Sequence, residues 1–410
     1  MPPWTASLQQ SLGKWLLNLV LRSGLHSQQA CPQGVMVKRS LRVITVFGTR
    51  PEAIKLAPVV RELRSRPDVF QSSVCVTGQH REMVDQVIDL FSIRPDFDLK
   101  LMQHGQRLAG FAARALAELD VLFRDERPDI VVVQGDTTTT LMASLAAFYN
   151  RAMVAHVEAG LRSFDKCAPF PEEINRTLTS RVADIHFAPT ERARKNLLQE
   201  GVQPEKIFVT GNTIVDALQD ITARLDSGQL QPPLSGSFTK LPARFILVTA
   251  HRRENQGQGL RDIFLAIRNI SCRAPDLDFI FPVHLNPEVR GPAHELLGNL
   301  PRVHLLPPID YVSFVWLMKH STSILTDSGG IQEEAPSLRK RVVVMRDVTE
   351  RPEAVESGWA QLVGTDRDRI IAAVLDTLHM PPEEVERAPS PFGDGTAASK
   401  IADILAAKRD

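Results

Sequence analysis

The 410-residue chain has little cysteine, no net charge and no long apolar run, and each shortage removes a class of function. Its four cysteines, Cys31, Cys75, Cys167 and Cys272, are scattered and form no C-x-x-C pair. Such spacing supports neither a disulfide framework nor a zinc site, and it reads as reduced thiols of a cytoplasmic protein. Lysine plus arginine, 48, equals aspartate plus glutamate, 48. A balanced chain offers no bulk attraction to nucleic acid, although a local basic pocket stays open. Acidic residues are missing from the N-terminal stretch, whose apolar run at 15–21 is too short to span a bilayer core of about 30 Å, so no stable membrane insertion is expected. That stretch reads as a disordered extension ahead of Met36, or as an amphipathic piece touching a membrane surface. A Walker loop, G-x-G-x-x-G and H-E-x-x-H are all missing, so Mg-ATP, adenine dinucleotides and a required metal find no support.

What is present is alternation. The length exceeds one ordinary core, so two domains are expected. Short apolar runs at 43–47, 73–77, 130–134, 153–157, 185–188 and 207–210 are rich in Val and Ile without alternating, as strands buried on both faces are. Between them lie helix-period stretches such as 108–124, where Leu108, Phe111, Ala115, Leu119 and Leu122 recur on one stripe. Strand alternating with helix implies parallel sheets with right-handed crossovers. Residues 226–242 carry Gly, Pro and Ser without period and mark a linker. Strand-like runs then resume at 245–249, 279–283, 303–306, 323–325 and 342–345. The expected organisation is an extension at 1–40, a Rossmann-like domain at 41–225, the linker at 226–242, a second Rossmann-like domain at 243–390, and a helix at 391–410 that could end either one.

Open parallel sheets bind ligands beyond the carboxyl ends of their strands. Here those ends are polar. After 43–47, Gly48 to Arg50 form a turn with Pro51 suited to the first helical position, and Lys55 follows inside the helix. Arg50 and Lys55 read as anion holders or as a solvated pair. Asp136 and Glu158 each follow a strand, and Glu172 and Glu173 open a helix. These carboxylates read as site groups or as helix caps and dipole partners. In the second half, His251 and His284 follow consecutive strands beside Arg252 and Arg253. Residues 327–334, DSGGIQEE, place adjacent glycines between strand and helix. That turn can aim N–H groups at an anion, with the Ser328 hydroxyl beside it and Glu334 one turn onward to accept sugar hydroxyls. The alternative is a glycine turn that only caps a helix.

In order along the chain, GTRPEAIK (48–55), TGQHR (77–81), QGDTTTT (134–140), HVEAGLR (156–162), PEEINR (171–176), HRRE (251–254), DSGGIQEEAP (327–336) and TERPE (349–353) resemble the bacterial non-hydrolysing UDP-N-acetylglucosamine 2-epimerases. The resemblance implies the GT-B type of α/β fold, two Rossmann-like doubly wound domains with parallel sheets and an interdomain cleft, usually as a homodimer. It implies reversible conversion of UDP-N-acetylglucosamine into UDP-N-acetylmannosamine, a precursor for cell-surface polysaccharide, with no cofactor and no metal. Carried over by motif, Asp136, Glu158, Glu172 and His251 are the catalytic group. Arg50, Lys55, Phe314, Ser328, Gly329, Gly330, Glu334 and Arg351 join Asp136, Glu158 and His251 as substrate contacts. Gln79, Glu82, Arg252 and His284 line an activating UDP-N-acetylglucosamine site. The chain departs from the pattern at 163–168, which lacks the usual Gly and Tyr, at Arg339 and Arg341, where Gly and Pro are usual, and at Ile309. A hydrolysing epimerase, a GT-B glycosyltransferase and a non-catalytic UDP-sugar sensor are the other readings.

Overall fold

Val43, Ile44, Val46 and Phe47 of the first strand, β1 (Leu41–Phe47), are all buried, which requires cover on both faces of its sheet. In the computed structural model, which describes residues 39–78, 81–103, 105–233, 241–379 and 389–409, that cover comes from helices on either side. The chain continues through α1 (Arg50–Arg64), β2 (Phe70–Val76), α2 (Arg81–Leu90), β3 (Phe97–Asp98), α3 (Leu108–Glu126), β4 (Ile130–Gln134), α4 (Thr138–Tyr149) and β5 (Met153–Val157). Next come α5 (Glu172–Val182), β6 (Ile185–Ala188), α6 (Glu191–Gln199), β7 (Ile207–Val209) and α7 (Thr213–Asp226). The described strands of this half pair in parallel in the order β3-β2-β1-β4-β5-β6-β7. One face packs Val43, Phe47 and Val132 against Val59, Leu63 and Leu218, and the other packs Ile44, Val131 and Val133 against Phe111, Leu119 and Phe123.

The second half repeats the scheme with β8 (Phe245–Thr249), α8 (Gln258–Arg273), β9 (Asp278–Pro282), α9 (Pro287–Leu297), β10 (Val303–Leu306), α10 (Tyr311–His320) and β11 (Ser323–Thr326). It ends with α11 (Gly329–Glu334), β12 (Val342–Val344), α12 (Pro352–Glu356), β13 (Ala360–Leu362), α13 (Arg367–His379) and α14 (Ala397–Ala406). Its strands are again parallel, in the order β10-β9-β8-β11-β12-β13. From Ser40 onward the chain forms one compact unit.

Each sheet reverses its strand order once, between β1 and β4 and between β8 and β11. At these switch points the flanking helices diverge and leave a crevice. The polar strand ends singled out above, at 48–55, 134–137, 251–254 and 327–330, are the segments that leave those four strands.

The structure adds two strands that the apolar pattern did not announce. β3 and β13 have two and three residues, too few to show a period. Arg50 is already the first helical residue and Pro51 the second, so the turn after β1 is only Gly48 and Thr49. The last helix, α14, packs against α1 and α7 and so covers the first sheet. Asp216 Oδ1 accepts the Ala398 N–H at 2.8 Å, and Asn212 N–H donates to the Phe392 carbonyl at 2.8 Å. Gly211 and Gly393 meet where a Cβ on Gly211 would sit 3.3 Å from the Gly393 Cα, a close approach that a side chain would obstruct. The extension at 1–38, Gln79 and the middle of the linker lie outside the described residues.

His156 on β5 and His186 on β6 are cross-strand neighbours, buried, and the Nδ1 atom of each lacks a hydrogen-bond partner among the described residues. Burial pushes His156 down to about 3 and His186 down to about 4. Folded, both stay neutral at pH values where an unfolded histidine takes up a proton, near 6.5. Protons therefore favour the unfolded chain, and stability is expected to decline as pH falls below about 6.5 and to keep declining toward 4. Thermal melts between pH 8 and 4 check this, with a shallower acid limb expected for His186→Gln.

Candidate active site

The two switch points face one cavity of about 800 Å³. From the first sheet it is lined by Arg50, Lys55, Asp136, Glu158 and Glu172, and from the second by His251, His284, Phe314, Ser328, Gly330, Glu334 and Arg351. Asp136 and Ser328 thus open onto a shared space, not onto separate surfaces.

At its centre a buried ion-pair network joins the two halves. Lys55 Nζ donates to Glu158 of the first half and, at 3.0 Å, to Glu333 Oε2 of the second. Glu333 Oε1 accepts from Arg351 Nε at 2.8 Å, and Arg351 also reaches Glu350 at 3.2 Å. Burial opposes charge on Lys55, but Glu158 and Glu333 outweigh it and hold the ammonium protonated. The same two cations, Lys55 and Arg351, overcome burial at Glu333 and hold its carboxyl below the ordinary range. At Glu158 burial wins over Lys55 and its pKa is raised. Glu158 also accepts from Asn212 Nδ2 at 3.0 Å and from Gln134 Nε2. Its backbone has φ +64°, the left-handed region that non-glycine residues seldom occupy and that clusters at functional sites.

Glu52 ties the first switch point together. Buried inside α1, it accepts the N–H groups of Gly48 and Thr49 at 3.0 and 2.7 Å and the hydroxyls of Thr137 and Thr140 at 2.5 and 3.0 Å. The turn after β1 is thereby joined to the start of α4, which fixes where Arg50 and Asp136 stand. Asp136 Oδ2 pairs with Arg176 at 3.0 Å, and its carbonyl accepts from Asn175 Nδ2 at 2.9 Å. Burial raises the Asp136 pKa, opposed by Arg176 and reinforced by Glu172. The neighbouring glutamates at the start of α5 divide their labour. Glu173 accepts the N–H groups of Ser163 and Phe164, both at 3.0 Å, and shapes the preceding loop, whereas Glu172 lines the cavity.

On the opposite wall, Gly329 lies under Arg351, where a Cβ would be 2.8 Å from its Nη1. The cavity is lined by Ser328 and Gly330, not by Gly329, so Gly329 serves to let Arg351 approach. Glu334 accepts from Tyr311 Oη at 2.9 Å, and the Tyr311 ring carries the Arg50 guanidinium 5.9 Å from its centroid. Burial pushes the Glu334 carboxyl up to about 7. His251 and His284 stack with centroids 6.0 Å apart. His284 therefore belongs to the same cavity, whereas the Arg252 side chain does not line it. The Glu82 side chain, like Gln79, is outside what the structure describes. Among the described residues no three His, Cys, Asp or Glu side chains converge as a metal site. Glu52, Tyr311 and Glu333 were missed. Glu52 shows in sequence only as the third helical residue after Thr49, the spacing of a capping box.

Glu334 is uncharged below about 7 in the folded chain, whereas an unfolded glutamate ionises in the ordinary range. The folded state binds the extra proton, so this group's contribution to stability is lost as pH rises through about 7. Glu334→Gln keeps the Tyr311 partner and is expected to stabilise the chain at pH 8 by on the order of 3 kcal/mol, with the gain vanishing near pH 4. Denaturation at the two pH values measures it.

A family model described as UDP-N-acetylglucosamine 2-epimerase matches residues 61–406. The UDP-N-acetylglucosamine 2-epimerase of Salmonella typhimurium is 52% identical over 374 residues, covering 90% of this chain and 99% of that one. The enzyme of the same name from Bacillus subtilis is 51% identical over 369 residues, covering 90% and 95%. Among solved structures, UDP-GlcNAc 2-epimerase from Neisseria meningitidis bound to UDP-GlcNAc superposes with a TM-score of 0.83 at 46% identity, over 89% of this chain and 99% of that one. A match this long, together with two parallel-sheet domains of GT-B type facing one cavity, shows that the chain belongs to the UDP-N-acetylglucosamine 2-epimerase family.

Proposed function

We propose that the chain is a cytoplasmic, non-hydrolysing UDP-N-acetylglucosamine 2-epimerase that interconverts UDP-GlcNAc and UDP-ManNAc. The observation that carries this reading is the meeting of three first-half carboxylates, Asp136, Glu158 and Glu172, with cations and with Ser328 and Gly330 in one cavity. The C2 hydrogen of an intact sugar is not acidic, because no carbonyl adjoins it. Departure of UDP from C1 develops positive charge there and acidifies C2–H, after which a carboxylate can remove the proton. The intermediate 2-acetamidoglucal, protonated on its other face, takes UDP back. Leaving-group stabilisation therefore matters as much as the base. Arg50 suits that task, because it lines the cavity with its guanidinium over the Tyr311 ring. Loss of one such donor typically costs ~3 kcal/mol of barrier. In the same reading His284, stacked on His251, lines an activating UDP-GlcNAc subsite beside the first, and the two lobes of the cleft are 41–225 and 243–390.

Turnover in heavy water tests the mechanism. Deuterium is expected at C2 of both UDP-sugars with UDP still attached, and a chromatogram dominated by free UDP and free N-acetylmannosamine would instead establish hydrolysis. Asp136→Asn is expected to lower kcat by roughly a hundredfold or more while UDP still raises the melting temperature. A non-catalytic sensor has no turnover for that substitution to remove.

A homodimer is part of the same proposal. Phe148 and Tyr149 at the end of α4 are 61% and 59% exposed, and Ile174 and Leu178, one turn apart on α5, are 41% and 47% exposed. Exposed apolar residues on two packed helices mark an association face. Light scattering is expected to give twice the chain mass, and Leu178→Asp the chain mass.

A further inference from the structure

Asp327 follows β11 with no solvent exposure, and its two oxygens are treated very differently. Oδ2 accepts the backbone N–H groups of His251 and Arg252 at 2.9 and 2.8 Å and Asn255 Nδ2 at 3.2 Å. Asn255 Nδ2 also donates to the Met345 carbonyl at 3.1 Å, so one node binds the ends of β8, β11 and β12. Oδ1 is buried and makes no hydrogen bond among the described residues. The polar atom facing it is Nδ1 of His251, 3.4 Å away. A buried acceptor left without a donor costs about 1–3 kcal/mol, which selects the state of the ring that can satisfy it. That state carries hydrogen on Nδ1. Catalytic hydrogen bonds are commonly long before ligand closes the site, so 3.4 Å is the separation of a contact ready to tighten.

We propose that Asp327 is a positioning residue for His251, holding the Nδ1–H tautomer so that the Nε2 lone pair faces the ligand in the cavity. The clamp on the His251 and Arg252 N–H groups sets where the ring starts, and Oδ1 sets how it is turned. The other groups facing the ring reinforce its neutrality. Partial burial disfavours a second proton most, Arg252 beside it and the His284 ring stacked on it add to this, and Asp327 opposes them. In this role His251 accepts a hydrogen bond or a proton from the bound sugar nucleotide and is not a cationic holder of phosphate.

This inference rests on the reading of His251 as a catalytic group, and the two are separable by experiment. In protein labelled with 15N-histidine, the His251 signals, assigned by their loss in His251→Gln, are expected to show Nδ1 protonated and Nε2 bare at pH 8. Asp327→Asn keeps an oxygen for the clamped N–H groups but turns an N–H toward Nδ1. It is expected to reverse the tautomer and to lower kcat roughly a hundredfold or more, with KM changed by less than about threefold. In the His251→Gln background the same substitution should lower kcat by less than about threefold further. A bare Nδ1 in the unsubstituted protein overturns the role of Asp327 even if Asp327→Asn fails to fold. A full, undiminished effect of Asp327→Asn in the His251→Gln background also overturns it. Full turnover by His251→Gln instead removes the reading of His251, and the positioning role with it.

Discussion

One ammonium group spans the protein. Lys55 belongs to the first helix, yet its Nζ sits between Glu158 at the end of β5 and Glu333 in α11, and Glu333 passes the connection to Arg351. Buried charges are tolerable only when paired and hydrogen-bonded. Two carboxylates and Lys55, buried at the join between two sheets beside a half-buried Arg351, meet that condition only if the halves are placed as they are. Removing one partner leaves the others uncompensated, which is why this network constrains the arrangement of the cleft more than any single apolar contact does.

The constraint also shapes the chemistry. Lys55, Glu158, Glu333 and Arg351 are engaged with one another across the join, so the centre of the cleft holds paired charges, not isolated ones. Around the network, other carboxylates hold the segments that carry the proposed site residues. Glu52 binds the turn after β1 to the start of α4, Glu173 shapes the loop before α5 so that Glu172 is left facing the cavity, and Asp327 clamps the segment that begins with His251. All three acids lie within motifs that also carry proposed site residues, and none is distinguishable by residue type from a proposed catalytic acid.

Much of the fold was legible in the chain. Unbroken runs of Val and Ile, as at 130–133, mark strands covered on both faces, and helical stripes between them require crossovers, so two parallel sheets follow from local pattern. The gathering of Asp136, Glu158, Arg50 and Lys55 was legible because strand ends of parallel sheets converge on one edge. The division between Glu172 and Glu173 was not, because adjacent residues at a helix start have the same local prospects. Gly329 illustrates the same limit: the Gly-Gly pair announces a tight turn, but only the position of Arg351 decides which glycine must lack a side chain. Arg339 carries φ +56° at a place where the resemblance expects glycine, a strain visible only in the folded backbone.

By itself, then, the order of residues determined the alternation of strand and helix, the polar strand ends and the family, because these depend on near neighbours and on recurring local spacing. Tertiary structure decided which carboxylate caps, which pairs and which faces the ligand, and that the last helix returns to the first sheet. Those choices rest on partners far away in the chain, 278 residues apart for Lys55 and Glu333, whose meeting no local pattern encodes.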